Sequence, residues 1–283
     1  MNQPIIVTLP SSQLRGLARQ ALAGKWKLAV LGTLLYLALA AVPTILISAP
    51  DIISGSIDAY NQDPVATPTP PSVYAVNLYS LLVSGPLSLG FASFILAIFR
   101  RQPTRPVEVF YGFERFGKAF LLMLVQSIFI FLWSLLFIIP GIIAAIRYSM
   151  AFYVLADNPG IGVMAAINES KRLMRGNKMK FFILGLSFIG WLLLGVLTMG
   201  IAYIWIVPYM ESSFVAFYEI ANGHLQRSQG PEMGEPMILT PVDETGSADP
   251  AAPTDSTDPA DLVDSTDPAD STDPASPDKT RPL

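Results

Sequence analysis

The sequence predicts an all-α fold: a polytopic transmembrane helix bundle of about six spans, with amphipathic cytoplasmic helices and a disordered acidic C-terminal tail. Three observations predict it. Hydrophobic residues fill 52% of the 283 positions and charged residues only 14%, with a mean hydropathy of +0.47, well outside the usual soluble range. The apolar residues gather in runs of membrane-crossing length, since a helix rising about 1.5 Å per residue needs about twenty residues to cross a hydrocarbon core of roughly 30 Å. Lysine and arginine collect in alternate connecting segments, the asymmetry that fixes the sidedness of membrane proteins.

Residues 1–27 form the first cytoplasmic element. Ser12 can cap a helix that places Leu14, Leu17, Ala18, Ala21 and Leu22 on one face and Arg15, Arg19 and Gln20 elsewhere, ending at Gly24 and Trp26. Such a helix lies in the headgroup plane. The first apolar run, Leu28 to Ser48, starts too late and is too long for a cleaved leader, whose apolar core is roughly 7–15 residues, so it reads as a signal-anchor span.

Residues 28–222 form the bundle. After span 28–48 comes 74–99, interrupted by Gly85-Pro86, which predicts a kink. Span 120–139 leads into Pro140-Gly141, followed by 142–156, 181–200 and 201–220. Arg15, Arg19, Lys25 and Lys27 precede the first span, whereas the loop from Ala49 to Ser72 has no basic residue and carries Asp51, Asp58 and Asp63. The amino terminus is therefore expected inside. Arg100, Arg101, Arg105, Arg115 and Lys118 place the next loop inside, as Lys171, Arg172, Arg175, Lys178 and Lys180 do for the one after. Between two inside loops the chain crosses an even number of times, which makes Pro140-Gly141 the outer turn of a hairpin. The alternative is a re-entrant pair that never fully crosses and leaves the remaining sidedness unchanged.

A second inner amphipathic helix places Val163, Met164, Ile167, Leu173 and Met174 opposite Glu169, Lys171, Arg172 and Arg175, with Gly176-Asn177 as its stop. Residues 223–283 form the tail, with the repeat DSTDPADLVDSTDPADSTDPAS from Asp255 to Ser276. Acidic, Pro-rich units of this kind bury no core and stay solvated. The charge divides accordingly: residues 1–230 sum to +7 and residues 231–283 to −11. Both termini are expected in the cytoplasm and the bundle in the plasma membrane, its basic inner loops facing an anionic leaflet.

Long ordered motifs carry a family resemblance. The stretch FLWSLLFIIPGIIAAIRYSMAFYVLADNP from Phe131 to Pro159, then AINESKRLMRGNKMKFFILGLSFIGW from Ala166 to Trp191, VPYMESSFVAFYE from Val207 to Glu219, and the opening LARQALAGKWKLAV from Leu17 to Val30, together resemble the bacterial membrane family catalogued as domain of unknown function 975. The resemblance covers about residues 10 to 222 and implies a several-span bacterial plasma-membrane protein without an assigned activity. The isoleucine-proline-glycine-isoleucine turn and the basic helix bearing Ser170 are also similar to the membrane portion attached to some glycerophosphodiester phosphodiesterases, although no catalytic domain of that type is present. The repeated tail lies outside the family pattern.

The residues with most to explain are charged ones inside spans. An arginine within a span costs roughly 2.5–3.5 kcal/mol on insertion scales, and Arg147 sits about five residues, near 7.5 Å, below the outer end of span four. Glu211 lies about ten residues into span six, so the two differ in depth by about 7.5 Å, a gap a long arginine bridges. Arg147 and Glu211 are the candidate intramembrane polar pair; the alternative has Arg147 snorkelling outward and Glu211 neutral or water-bound. Asn77, Gln126, Ser187 and Tyr209 read as interhelical hydrogen-bonding groups. Gly185, Gly190, Gly195 and Gly200 recur every five residues, which reads as close packing and flexibility and not as a dimerisation seam.

No catalytic, cofactor-binding or metal site is expected. The chain has no cysteine and a single histidine, His224, which stands without a carboxylate cluster in sequence and reads as a solvated helix-end residue. Phosphate-loop, zinc-protease and hydrolase-elbow patterns do not occur, and the Asn168-Glu169-Ser170 sequon falls in an inside loop. Nucleic acid is not a natural partner. The expected role is a non-enzymatic scaffold, accessory or envelope-homeostasis factor, with a protein partner at the inner amphipathic helices. The alternative is a small permease with a polar site around Arg147 and Glu211, its path touching Gly85-Pro86; an enzyme acting on lipid is a distant third.

Overall fold

The computed structural model describes residues 5–61, 70–227 and 239–241. The chain forms α1 (Ser11–Leu22), α2 (Trp26–Asn61), α3 (Pro71–Phe99), a 3₁₀ turn (Pro106–Phe110), α4 (Tyr111–Glu114), α5 (Phe116–Leu136), α6 (Ile138–Tyr148), α7 (Ala151–Asp157), α8 (Val163–Leu173), α9 (Lys178–Leu186), α10 (Ile189–Leu197) and α11 (Tyr203–Ala221). The only strands among the described residues are β1 (Leu225–Arg227) and β2 (Leu239–Pro241), paired antiparallel. The predicted tail repeat lies outside the described residues.

Among the described residues, five helical stretches are long and apolar enough to cross a membrane: Trp26–Ile53, Pro71–Phe99, Phe116–Leu136, Ile138–Asp157 and Lys178–Leu197. α11 is not among them, because its two glutamates, two serines, three tyrosines and proline dilute its apolar residues. Yet α11 is among the best-buried elements, with Ser212, Ser213 and every residue from Val215 to Ala221 out of solvent. It packs on α1 and on α3, whose buried residues run from Gly85 to Ile98. Only 11% of the apolar window is buried in α2 and in α5, and 17% in α9–α10, against 61% in α3. α2, α5 and α9–α10 thus carry exposed apolar flanks of the kind a bilayer would cover, whereas α11 packs on α1, α2, α3 and α10.

α3 is helical on both sides of Gly85-Pro86, with Pro86 inside it. Both residues are buried at a crossing. A Cβ on Gly85 would lie 2.7 Å from the Ala119 carbonyl oxygen of α5, and one on Gly90 or Gly112 would collide with the backbone of the other segment, at Val109 or Pro86. The glycines let α3 and the Pro106–Phe116 corner touch backbone to backbone.

The α5–α6 turn lies three residues earlier than expected. Phe137 is extended (φ −162°, ψ 154°) and breaks the helix there, while Pro140 is the third residue of α6, where a backbone N–H has no intrahelical acceptor to lose. Gly141 is buried against Ser134 of α5, whose side chain a Cβ would strike. The apolar stretch after the turn, Ile138–Asp157, is 20 residues long, longer than the fifteen or so expected. It is cut at Ser149-Met150, and Ser170 of α8 fills the cut. Its Oγ donates to the Arg147 carbonyl (2.8 Å) and accepts from the Met150 N–H (3.2 Å), satisfying groups the broken helix leaves open.

α1 begins at Ser11 with Pro10 as N-cap and no side-chain cap bond, so Ser12 does not cap it. Leu14, Ala18, Ala21 and Leu22 form its buried face as expected. That face is packed on α11, with further contacts to α3 and α9, and the chain before it is pinned by Asn177. The Asn177 Oδ1 accepts from the Val7 N–H at 2.9 Å, and its Nδ2 donates to the Ile5 and Leu173 carbonyls at 2.7 and 2.8 Å. The stop signal read in the sequence is thus also a buried clamp. In α8 the buried residues are Ala166, Ile167, Ser170 and Leu173, followed by Met174, while Met164 is exposed, a face rotated slightly from the expected stripe.

Candidate functional site

The largest concentration of polar chemistry gathers where α3, α7 and α11 end. Arg100 follows the last residue of α3, Asp157 ends α7, and Tyr218 and Glu219 lie in the last turn of α11. The chain then reverses at Gly223 (φ +84°). The His224 N–H reaches back to the Glu219 carbonyl (2.9 Å) and the Gly223 N–H to that of Ile220 (3.1 Å), the paired bonds of a Schellman cap. This cap returns the imidazole to the carboxylate one turn below.

The Arg100 guanidinium donates through Nη1 to Asp157 Oδ1 (2.5 Å) and through Nε to Glu219 Oε1 (2.8 Å). His224 Nδ1 lies 3.0 Å from Glu219 Oε2 and 3.1 Å from Arg100 Nη2. The Tyr218 hydroxyl donates to Asp157 Oδ2 at 2.8 Å, and Asn222 Nδ2 lies 3.1 Å from His224 Nε2. Burial alone would lower the Arg100 pKa, but the hydrogen bonds and charges of Asp157 and Glu219 outweigh it and hold the guanidinium above its ordinary range. The hydrogen bond to Glu219 raises the His224 imidazole above its usual 6.5 against the opposing effect of burial, with Glu219 and Asp157 adding charge attraction. The cluster opens on a cavity of about 920 Å³, also lined by Arg101 and Glu169. Arg101 holds a left-handed backbone (φ 57°) at the end of α3 and donates to the Gln20 carbonyl at 3.2 Å.

His224 stands just past the end of a helix as expected, with 41% of its side chain exposed, but it is engaged by Glu219 and not free in solvent. Of its neighbours, Glu219 and Asn222 are close in sequence, whereas Arg100 and Asp157 come from elements far away.

The expected pair of Arg147 and Glu211 is not formed. Arg147 lies on α6, which packs on α5, α8 and α9, whereas Glu211 lies on α11, which packs on α1, α2, α3 and α10. Similar depth did not make the helices neighbours. Arg147 is partly buried and makes no side-chain ion pair among the described residues. Glu211 instead accepts the hydroxyl of Tyr153 from α7. The two line a second cavity, of about 340 Å³, with Tyr36, Phe91, Phe181 and Phe214. Arg147, Gly85, Pro86, Pro140 and Gly141 are not among its lining residues.

The other intramembrane polar groups behave more locally than expected. Ser187 Oγ donates to the Leu184 carbonyl of its own helix (2.6 Å), Asn77 is exposed, and Gln126 Oε1 is buried without a hydrogen-bond partner. Of the spaced glycines, Gly195 is packed closely on Tyr203 and Gly200 takes a positive φ, while Gly185 and Gly190 have open space. A third, smaller cavity of about 230 Å³ is bounded by Arg19, Trp26, Trp191, Trp205, Ile206 and Tyr209. Among the described residues, no group of three or more His, Cys, Asp or Glu is placed to hold a metal.

No curated protein and no solved structure matches the chain. The sequence model of the family described as "Protein of unknown function (DUF975)" matches residues 8–145 and 135–223, which takes in α1 through α11 and the polar cluster as far as Asn222, with His224 just beyond the match. The chain belongs to that family.

Proposed function

We propose that the chain is a six-span plasma-membrane protein, α11 being the sixth span, with both termini in the cytoplasm, and that it serves without catalysis as a scaffold, accessory or envelope-homeostasis factor. The observation that carries this reading is the ionic clasp. Arg100 is engaged by both Asp157 and Glu219, and His224 by Glu219, so the groups suited to proton transfer are occupied in joining α3, α7 and α11. The basic segments around Arg100 and Lys178 would then face anionic lipid, and the exposed sides of α1 and α8 would be open to a protein partner.

Reporter fusions after Asn61, Phe137 and Asn177 test the topology. Outside, outside and inside are expected, and a cytoplasmic report from Phe137 overturns the six-span arrangement. For the role, a deletion strain should be sensitised to envelope stress and be rescued by the full chain but not by Arg100→Ala. Rescue by a chain with the clasp broken removes the scaffold reading. The cavity beside Glu211 favours a second reading, a small permease, which requires flux of a solute into vesicles containing the purified chain.

A further inference from the structure

The cavity at Glu211 has the composition of a cation site. Its one acidic side chain receives a single hydrogen bond, from the Tyr153 hydroxyl, and no Lys or Arg side chain pairs with it among the described residues. A carboxylate held away from bulk water requires a counter-charge or a proton. The walls are aromatic. Tyr36 stacks on Phe91 with centroids 4.4 Å apart, and Phe181 packs on Phe214 at 5.0 Å, so rings from α2, α3, α9 and α11 line the space. Ser88 and Ser149 add hydroxyls.

We propose that this cavity binds a small organic ammonium ion, with the Glu211 carboxylate as its counter-charge and the surrounding aromatic rings as its walls. Ring faces attract an ammonium through their quadrupoles, and the carboxylate repels anions. The lining offers a single carboxylate, with neutral phenol and serine hydroxyls in place of the several carboxylate and carbonyl oxygens of calcium sites. A volume of about 340 Å³ lies at the low end for small-molecule sites, which favours a compact amine. Tyr153 acts as a positioning residue: its hydroxyl holds the carboxylate and leaves the second oxygen available to the ligand.

The proposal deepens the permease reading without requiring transport. The chain has no cysteine, so Ser88→Cys in the otherwise intact chain gives one thiol on the cavity wall. In detergent micelles its modification by N-ethylmaleimide is timed with benzyltrimethylammonium, and with neopentylbenzene, the uncharged carbon isostere. The ammonium should slow the reaction saturably and the isostere should not. In Ser88→Cys, Glu211→Gln the concentration needed for half-protection should rise about thirtyfold or more, the range for removing one member of a desolvated charge pair. Equal protection by the isostere, no protection by the ammonium, undiminished protection in the Glu211→Gln chain, or an introduced thiol that the reagent never reaches each overturns the proposal. The contrast between the two probes is read with Glu211 in place, so it stands even where the Gln variant misfolds. Binding without vesicle flux leaves this site intact and removes the permease reading.

Discussion

Replacing Arg100 by alanine removes the cation between two carboxylates, and the structure apportions the loss. The Glu219 side chain is only 4% exposed and sits 2.8 Å from Arg100, so deleting its partner strands a buried charge, at a cost of about 3 kcal/mol. Asp157, 16% exposed, keeps the Tyr218 hydroxyl at 2.8 Å, and its share is nearer to about 0.5–1 kcal/mol, as for a solvated pair. His224 at 3.0 Å from Glu219 offsets part of the sum. A net loss of about 3 kcal/mol corresponds to a fall of about 6–12 °C in the melting temperature of a chain this size. Thermal unfolding in a fixed detergent, followed by circular dichroism, measures it. If the loss arises from the orphaned carboxylate, adding Glu219→Gln to Arg100→Ala should recover part of it, because the buried site then holds no unpaired charge. An Arg100→Ala chain that melts within about 2 °C of the native one, or a double variant whose losses simply add, refutes the clasp.

Four further outcomes follow from the same structure. His224 has its folded pKa above the unfolded value near 6.5, so its contribution is full below that value and is lost as pH rises through the folded one. The melting temperature should therefore decline from about pH 6 toward pH 8, and His224→Gln should flatten that decline. Gly90→Ala should destabilise by about 1–3 kcal/mol or prevent accumulation, since its methyl would meet backbone that has no room to move; Gly185→Ala, with nothing within 4 Å, should stabilise by about 0.5 kcal/mol in the same melting assay. Ser170→Ala strands the Arg147 carbonyl and the Met150 N–H, at about 1–3 kcal/mol, and should speed hydrogen exchange at the amides of Met150 and Ala151 more than elsewhere.

The apolar runs made the helices legible, because burial in lipid or in protein selects the same residues. The face of α1 was legible for the same reason: Leu14, Ala18, Ala21 and Leu22 recur at helical spacing and are the residues buried. Neighbourhood was not legible. The pairing of Arg147 with Glu211 was inferred from depth along straight spans, yet depth does not state which helices touch, and the cut at Ser149-Met150 made α6 and α7 separate rods. The partners of Arg100 come from positions 57 and 119 residues away, beyond the reach of any local pattern. The clamp by Asn177 escaped for a different reason: Gly176-Asn177 is an ordinary helix stop, and only the approach of Ile5 and Val7 gives the amide its second task.

α7 is seven residues long and bears Tyr153 and Asp157 one turn apart. The first holds Glu211 and the second holds Tyr218 and Arg100, so both polar sites on α11 are fastened to the same short rod. The cut that separates this rod from α6 is bridged by Ser170. Because both fastenings run through α7, a substitution that shifts this rod is expected to disturb the aromatic cavity and the ionic clasp together. The two sites are in this sense a single balance, with α7 as its beam.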